Sequence, residues 1–232
     1  MITEAALIAL AAGLYLFDCV VLLERGQALW SRGALSFGSK HYQIRGSVVA
    51  LLNPLTPFIA TIRTAPLFSI SPGAKISSAT RAVAPIAIPS LAQFILVFAV
   101  LPWCLYRAPG WPFLIALVLA YLNAIAMLAV CGWRFRKTGL ATRPLVALGF
   151  AWLACLPLSV NALRKAGLAI EVGADARRAI RLLPAGKRQR ARDDLAAQVA
   201  EAMHELDEAD ELHRRLAELR RKLTPEAPSE RV

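Results

Sequence analysis

The chain has 232 residues, of which 57% are hydrophobic, and its formal net charge at pH 7 is +11. A mean hydropathy of +0.50, with the apolar residues clustered in long runs, argues against a soluble protein of one or two domains. From Arg164 onward the chain holds 15 of the 27 Lys and Arg residues, so the positive charge is concentrated in the C-terminal tail.

Four apolar runs are long enough to cross a bilayer as helices. A crossing needs about 20 apolar residues, because the hydrocarbon core is about 30 Å thick and a helix rises about 1.5 Å per residue. Residues 86–106, 111–133 and 145–163 carry no charge, and residues 5–23 carry one, at Asp18. We therefore predict an all-α integral membrane protein with about four transmembrane helices, in a bacterial inner membrane.

The segment 25–85 is an insert after the first predicted helix. Apolar and polar residues alternate on either side of a Gly-Ser-Lys-His sequence, which predicts a short β-hairpin between Gly33 and Gly46. Residues 47–62 are apolar but carry two prolines. Because non-helical backbone cannot face lipid, we expect that stretch to be interfacial or re-entrant.

The tail divides into a basic part and a part with helical periodicity. Residues 193–223 place apolar side chains at alternating steps of three and four, which predicts a coiled-coil or helical-hairpin segment. The predicted units are residues 1–24, 25–85, 86–163 (three helices), 164–223 and a disordered end, 224–232. Seven basic residues in the tail form a predicted lipid-binding block: Arg177, Arg178, Arg181, Lys187, Arg188, Arg190 and Arg192.

The basic block predicts the partners of the tail. A basic surface beside a bilayer meets anionic lipid headgroups, and nucleic acid is the weaker alternative. The apolar stripe of residues 193–223 predicts self-association or a partner helix, because an amphipathic helix buries its apolar face against something.

Orientation is undecided by charge alone when four crossings are assumed. With the N-terminus outside, the two inner loops hold most of the basic loop residues, as the positive-inside rule requires, but the basic tail then lies outside. With the N-terminus inside, the tail is cytoplasmic and the basic first loop is outside. The composition of the tail favours the cytoplasmic side.

Polar residues inside the apolar runs are the candidate site. Asp18, Gln93 and Asn123 each lie near the centre of a run, so we predict that they form one intramembrane polar cluster. An intramembrane carboxylate is a functional hypothesis by default, here a proton or ion step. The competing interpretation is an interhelical hydrogen bond that fixes packing.

Three functions remain open on this sequence. The leading interpretation is a membrane-anchored scaffold or accessory subunit, without enzymatic activity, whose basic helical tail binds lipid and a partner. The second is a small transporter component that uses Asp18, and the third is a membrane enzyme that uses the insert, for example His41. We expect no cofactor and no metal site, since no Cys-x-x-Cys and no phosphate-binding glycine motif is present.

Overall fold

The structure is a computed structural model of the chain. It describes residues 2–24, 27–31, 34–36, 39–44, 47–64, 76–140, 142–170, 172, 180–181, 183–204 and 211–223. The strands are β1 (Val20–Leu23), β2 (Leu29–Ser31), β3 (Ala34–Ser36), β4 (Ser39–Ile44), β5 (Ser47–Leu51) and β6 (Thr61–Arg63). The helices are α1 (Ile2–Asp18), α2 (Ile76–Arg107), α3 (Trp111–Thr138), α4 (Arg143–Ala154), α5 (Leu156–Ser159), α6 (Ala162–Leu168), α7 (Ala185–His204) and α8 (Glu211–Leu223).

A helical hairpin of α2 and α3 is the longest feature of the fold. By length and composition, these two helices of 32 and 28 residues are the only described ones that could cross a membrane. They are joined by a tight turn in which Gly110 has a φ of 104°, a value that glycine adopts without strain. Helix α3 ends at Gly139, whose left-handed backbone lets its N–H donate to the carbonyl of Arg136 at 3.2 Å.

Helix α2 begins ten residues before the predicted apolar run. Its course includes a 3₁₀ turn, Ala84–Ile86, and a π-helical segment, Leu96–Val100. Pro85 lies in the 3₁₀ turn, where the proline ring and its missing N–H interrupt α-helical hydrogen bonding without ending the helix.

The predicted all-α fold with about four transmembrane helices is wrong. The first apolar run ends as a helix at Asp18, and its last residues form strand β1, which pairs antiparallel with β5. Val20 and Val21 are β-branched and favour a strand, and burial alternates along β1. The helical part has 17 residues, fewer than the roughly 20 of a typical span.

The fourth apolar run is also interrupted. Helix α4 has 12 residues and ends at Ala154, and Cys155 is extended before the single turn of α5. Pro157 is the cause, because it has no N–H to donate to the carbonyl of Leu153 and its ring clashes with that carbonyl. Instead of the kink in one long helix that a proline often causes, the run breaks into three short helices.

Within the described residues, six strands form two small antiparallel sheets, in the orders β1-β5-β4 and β3-β2-β6. The predicted hairpin between Gly33 and Gly46 is not formed, because β3 pairs with β2 whereas β4 pairs with β5. Strands therefore exist where alternation predicted them, but each finds a partner outside the predicted hairpin. The stretch 47–62 contains β5 and the start of β6, so it is part of both sheets and not a re-entrant segment.

The tail is a pair of helices packed on each other and on the rest of the chain, not one continuous coiled coil. Leu195 and Val199 of α7 and Leu216 of α8 are buried in one cluster with Ala28 of the insert. The apolar stripe within the described part of the tail is thus covered by the chain itself. The predicted disordered end, 224–232, lies outside the described residues.

Candidate functional site

A buried arginine, Arg164, joins three parts of the chain. Its side chain is 2% exposed, and its guanidinium donates to the backbone carbonyls of Asn53 and Thr56, the latter at 2.5 Å. The other terminal nitrogen donates to Asn161 Oδ1 at 3.1 Å and to Cys19 Sγ at 3.7 Å. Arg164 therefore ties α6 both to the end of α1 and to the turn that follows β5.

The turn that Arg164 grips is shaped by its own sequence. The Asn53 side chain accepts a hydrogen bond from the backbone N–H of Leu55 at 3.0 Å, the pattern of an Asx turn. The Thr56 hydroxyl donates to the carbonyl of Asn53 at 3.3 Å, and the Tyr15 hydroxyl donates to the carbonyl of Pro54. Such a turn presents several carbonyls in one direction, which suits the fork of donors on a guanidinium.

Asp18 lies beside this arginine in an ion pair with Lys165. The distance between Asp18 Oδ1 and Lys165 Nζ is 2.8 Å, with the two side chains 14% and 26% exposed. Asn161 bridges the pair to the arginine, since its amide nitrogen donates to Asp18 Oδ2 at 3.1 Å while its oxygen accepts from Arg164. The result is one polar network containing two cations and one carboxylate.

Burial sets the electrostatics of this network. Removal from water lowers the pKa of the Arg164 guanidinium below its ordinary value. An arginine nevertheless stays protonated in proteins, so Arg164 acts as a fixed positive charge whose terminal donors are met by neutral acceptors and Cys19. Because a buried cation is costly unless it is well hydrogen-bonded, each of those acceptors contributes to holding the site together.

A cavity of about 820 Å³ opens between the two sheets above Arg164. Its walls come from β2, β3 and β6 on one side and from β5 on the other, and they are mainly apolar with a few hydroxyl groups. The guanidinium forms part of the lining. Because its terminal nitrogens are already hydrogen-bonded, the structure assigns Arg164 a structural role, not a ligand-binding one.

A second polar chain lies between α2, α3 and α5. The Asn123 amide nitrogen donates to Gln93 Oε1 at 2.8 Å, and the Gln93 amide nitrogen donates to the Ser159 hydroxyl at 2.7 Å. Ser90 also reaches this region, where its hydroxyl donates to the carbonyl of Val160 at 3.1 Å. Gln93, Ser90 and Ser159 are fully buried, so these bonds hold α5 against the helical hairpin.

The structure therefore brings together two of the three residues of the predicted cluster. Gln93 and Asn123 are hydrogen-bonded to each other, whereas the described partners of Asp18 are Asn161 and Lys165. Asp18 is the last residue of α1 and not a residue near the centre of a longer helix, and its partners come from a region that the sequence pattern assigned to a helix end and to the start of the tail. The one available signal was the spacing of Asn161 and Arg164, three apart and thus on one helical face.

The other predicted site residues lie apart from this network. Of the basic block, Arg177 and Arg178 are outside the described residues, and the other five are exposed in or near α7. His41 lies in β4, and its side chain is outside the described part of the structure. Among the residues that the structure describes, no group of three or more His, Cys, Asp or Glu side chains is arranged to hold a metal ion.

Comparison of the chain with protein-family models, with curated proteins and with solved structures finds no match. Two features of the structure bear on function: a broad apolar surface on the helices, and a polar interior whose groups hydrogen-bond one another.

Proposed function

We propose that this chain is a membrane-embedded scaffold or accessory subunit that presents a basic helical tail to anionic lipid headgroups. The observation that carries the proposal is the apolar surface on the helices. Phe17 of α1, Trp111 of α3 and Phe150 of α4 are each more than 70% exposed. Apolar patches of this extent on a folded chain are typical of surfaces that contact membrane or another protein.

Lipid is the favoured neighbour of this surface, because aromatic and basic residues lie at the two ends of the α2–α3 hairpin. Trp103, Tyr106 and Trp111 flank the turn between α2 and α3, and Trp133 lies near the other end of α3. Trp and Tyr favour the level of the headgroups. We propose that α2 and α3 cross the bilayer, and that the shorter helices α1 and α4 lie against lipid without forming additional complete spans.

Two crossings remove the conflict over orientation. The start of α2 and the end of α3 are at the same end of the hairpin, where Ile76 and Phe135 share one core with strand β6. Trp30 packs against both this core and the tail cluster, so the tail belongs to the same end. Arg134, Arg136, Lys137 and Arg143 lie there too, whereas the turn at the opposite end carries only Arg107. By the positive-inside rule, we propose that the tail and both sheets are cytoplasmic.

The polar interior favours a scaffold over a transport pathway. Asp18 is held by an amide and an ammonium group, and Gln93, Asn123 and Ser159 hydrogen-bond one another between helices. Hydrogen bonds of this kind fix helix packing in membrane proteins. A route for a polar solute needs polar groups that are free to bind it, and these groups are engaged with each other.

The lipid contact of the tail rests on the described part of the basic block. Lys187, Arg188, Arg190 and Arg192 are exposed within one stretch of α7, and Arg181 is exposed just before it. Each basic residue near an anionic surface contributes about 1 kcal/mol, and salt weakens the attraction. Self-association of the tail stays a prediction, which the mass of the protein in detergent tests.

Topology and lipid contact can both be tested on the full chain. Reporter fusions after residues 109, 138 and 232 should place 109 on the outside and the other two in the cytoplasm. A dye attached at Gln189→Cys should be quenched by headgroup-labelled lipid more strongly in phosphatidylglycerol nanodiscs than in phosphatidylcholine nanodiscs. The triple variant Lys187→Gln, Arg190→Gln, Arg192→Gln should remove the difference. Reporters at 138 and 232 on opposite sides, or equal quenching in both lipids, would contradict the proposal.

The second candidate is a transporter component, and the ion pair of Asp18 with Lys165 is the observation that favours it. A carboxylate paired with an ammonium group can change partners when it binds a proton or an ion. Replacing Asp18 by Asn decides between the two functions, because it keeps a hydrogen-bonding side chain and removes the titratable group.

A further inference from the structure

A second groove, separate from the cavity between the sheets, has features of an anion site. Its volume is about 650 Å³, and it lies between β1, the first turns of α4, the end of α6 and Arg63 of β6. Arg63 and Lys165 both line it. We propose that this groove binds the phosphate of an anionic phospholipid, with the acyl chains lying along the apolar surface outside it.

The charge of the groove is the first argument for an anion. Arg63 Nε is buried and has no hydrogen-bond partner among the residues that the structure describes. A buried donor without an acceptor is costly, and for a charged group the cost is larger, so an acceptor bound in the groove would stabilise this guanidinium. A phosphate oxygen is an acceptor that suits a guanidinium in both charge and geometry.

Lys165 adds a second cation to the same groove. One of its N–H groups is directed at Asp18. An ammonium group has three N–H donors, and this side chain is 26% exposed, so donors remain for a second anion. The carboxylate of Asp18 offsets one positive charge, and Arg164 supplies another directly before Lys165 in the chain. The network behind the groove therefore has a net positive charge, which favours a bound anion.

The start of helix α4 borders the groove at Pro144. This helix has 12 residues, and the structure shows no side-chain cap on its first turn. Pro144 has no N–H and the Leu145 N–H donates to the carbonyl of Thr142 at 3.0 Å, so the helix contributes the positive end of its dipole beside the two cations and not a row of free donors. The dipole adds to the positive potential that Arg63 and Lys165 already create in the groove.

The surroundings of the groove identify a lipid as the source of the phosphate. Val146 and Phe150 of α4, the helix whose first turns line the groove, are 61% and 74% exposed, so a helical surface is available to the acyl chains. Helix α4 and β1 also supply apolar walls to the groove itself. Cations inside the groove and apolar side chains outside it match a phospholipid, whose charged phosphate is joined to acyl chains. Basic pockets between membrane helices on the cytoplasmic side bind such headgroups.

This inference rests on the membrane embedding proposed above, but it concerns a site distinct from the basic tail. The test uses the purified, delipidated full chain in neutral detergent. Thermal unfolding is followed with short-chain phosphatidylglycerol, short-chain phosphatidylcholine or inorganic phosphate. We expect phosphatidylglycerol to raise the melting temperature by several degrees, and the other two additions to leave it within about one degree.

Two variants locate the effect. Arg63→Gln removes the guanidinium, and Ala147→Trp fills the groove from an exposed position on α4 without entering the core. Each should weaken the apparent affinity for phosphatidylglycerol at least tenfold. Arg81→Gln is the matched control, because Arg81 is an exposed arginine on the same end of the helical hairpin, and it should bind as the wild type does.

Three results would overturn the proposal. Equal shifts with phosphatidylglycerol and phosphatidylcholine would show that charge is not recognised. An equal shift with inorganic phosphate would assign the groove to a free anion. Unchanged binding by Arg63→Gln is the result expected if a carboxylate of the chain itself occupies this guanidinium. The variant with three neutralised tail residues should bind phosphatidylglycerol normally, which separates failure of this site from failure of the proposed tail function.

Discussion

Asp18 and Lys165 form an ion pair at 2.8 Å that joins the end of the first helix to a helix near the far end of the apolar region. Asn161 links the same carboxylate to the buried Arg164 through one amide group. An unpaired charge in an apolar run costs free energy, but Asp18 has two partners. Both lie more than a hundred positions away along the chain.

The first prediction concerns Asp18→Asn. The replacement keeps an oxygen that accepts from Asn161 but loses the charge opposite Lys165, so we expect a loss of about 1–2 kcal/mol in the free energy of unfolding, between the values for exposed and buried pairs. Asp193→Asn, at an exposed acidic position of α7, should change it by less than about 0.5 kcal/mol. Unfolding of the purified protein in mixed detergent micelles measures both.

The same variant separates the two candidate functions. In a scaffold the charge of Asp18 is dispensable, so Asp18→Asn should rescue the phenotype of a deletion strain. In a transporter the carboxylate must gain and lose a proton or ion, and the variant would insert normally but fail to rescue. A stable, correctly inserted Asp18→Asn protein without activity would favour the transporter.

The second prediction concerns Arg164→Met. It removes the Arg164 donors and leaves the Asn53 and Thr56 carbonyls with only the hydrogen bonds inside the turn. We expect a loss of about 3–5 kcal/mol in the free energy of unfolding, because several hydrogen bonds to a charged group, each of about 1.5–3 kcal/mol, are lost together. Arg164→Lys should recover little of it, because one ammonium group cannot replace a planar fork that reaches the turn and Asn161 together. Arg107→Met, at an exposed site in the turn between α2 and α3, serves as the control. Full recovery by lysine would show that charge alone matters at this position.

The third prediction concerns Gly167, which lies in α6 against strand β6. A Cβ atom at this position would lie 2.2 Å from the backbone oxygen of Thr61, so the helix and strand must separate to accept it. We expect Gly167→Ala to cost about 3 kcal/mol, despite the higher helix propensity of alanine. Gly132→Ala in α3 meets nothing within 4 Å and should be neutral or stabilising. Similar melting temperatures for the two variants would contradict the close packing of α6 on β6.

The fourth prediction concerns the tail. Leu216 is 2% exposed and packs in the cluster that holds α8 against α7, so Leu216→Asp should separate the two helices. The measurement is limited trypsin digestion, in which the arginines of the tail should be cleaved at least several-fold faster than in the wild type. Arg220→Asp introduces the same side chain at an exposed position of α8. It removes one trypsin cleavage site and should leave the rate of cleavage at the other tail arginines unchanged. Equal digestion of Leu216→Asp and wild type would show that the tail does not depend on this cluster.

Sequence alone determined the features that depend on local composition. Uninterrupted apolar length predicted α3 and most of α2, and the turn between these helices falls in the gap between the two apolar runs. The apolar period of a helix also predicted the helical structure of residues 193–204 and 211–223. These features require only the solvent preference and the dihedral preferences of each residue.

Tertiary structure decided which apolar runs become helices throughout and which polar residues meet. Val20 to Leu23 is as apolar as the helix before it, and the strand preference of its valines is realised through pairing with β5, since an apolar run by itself fits either element. In the same way, Asp18 meets Lys165 and not Gln93 because α6 folds back onto the end of α1. Contacts between residues so far apart in sequence depend on how the whole chain packs, and no local pattern encodes them.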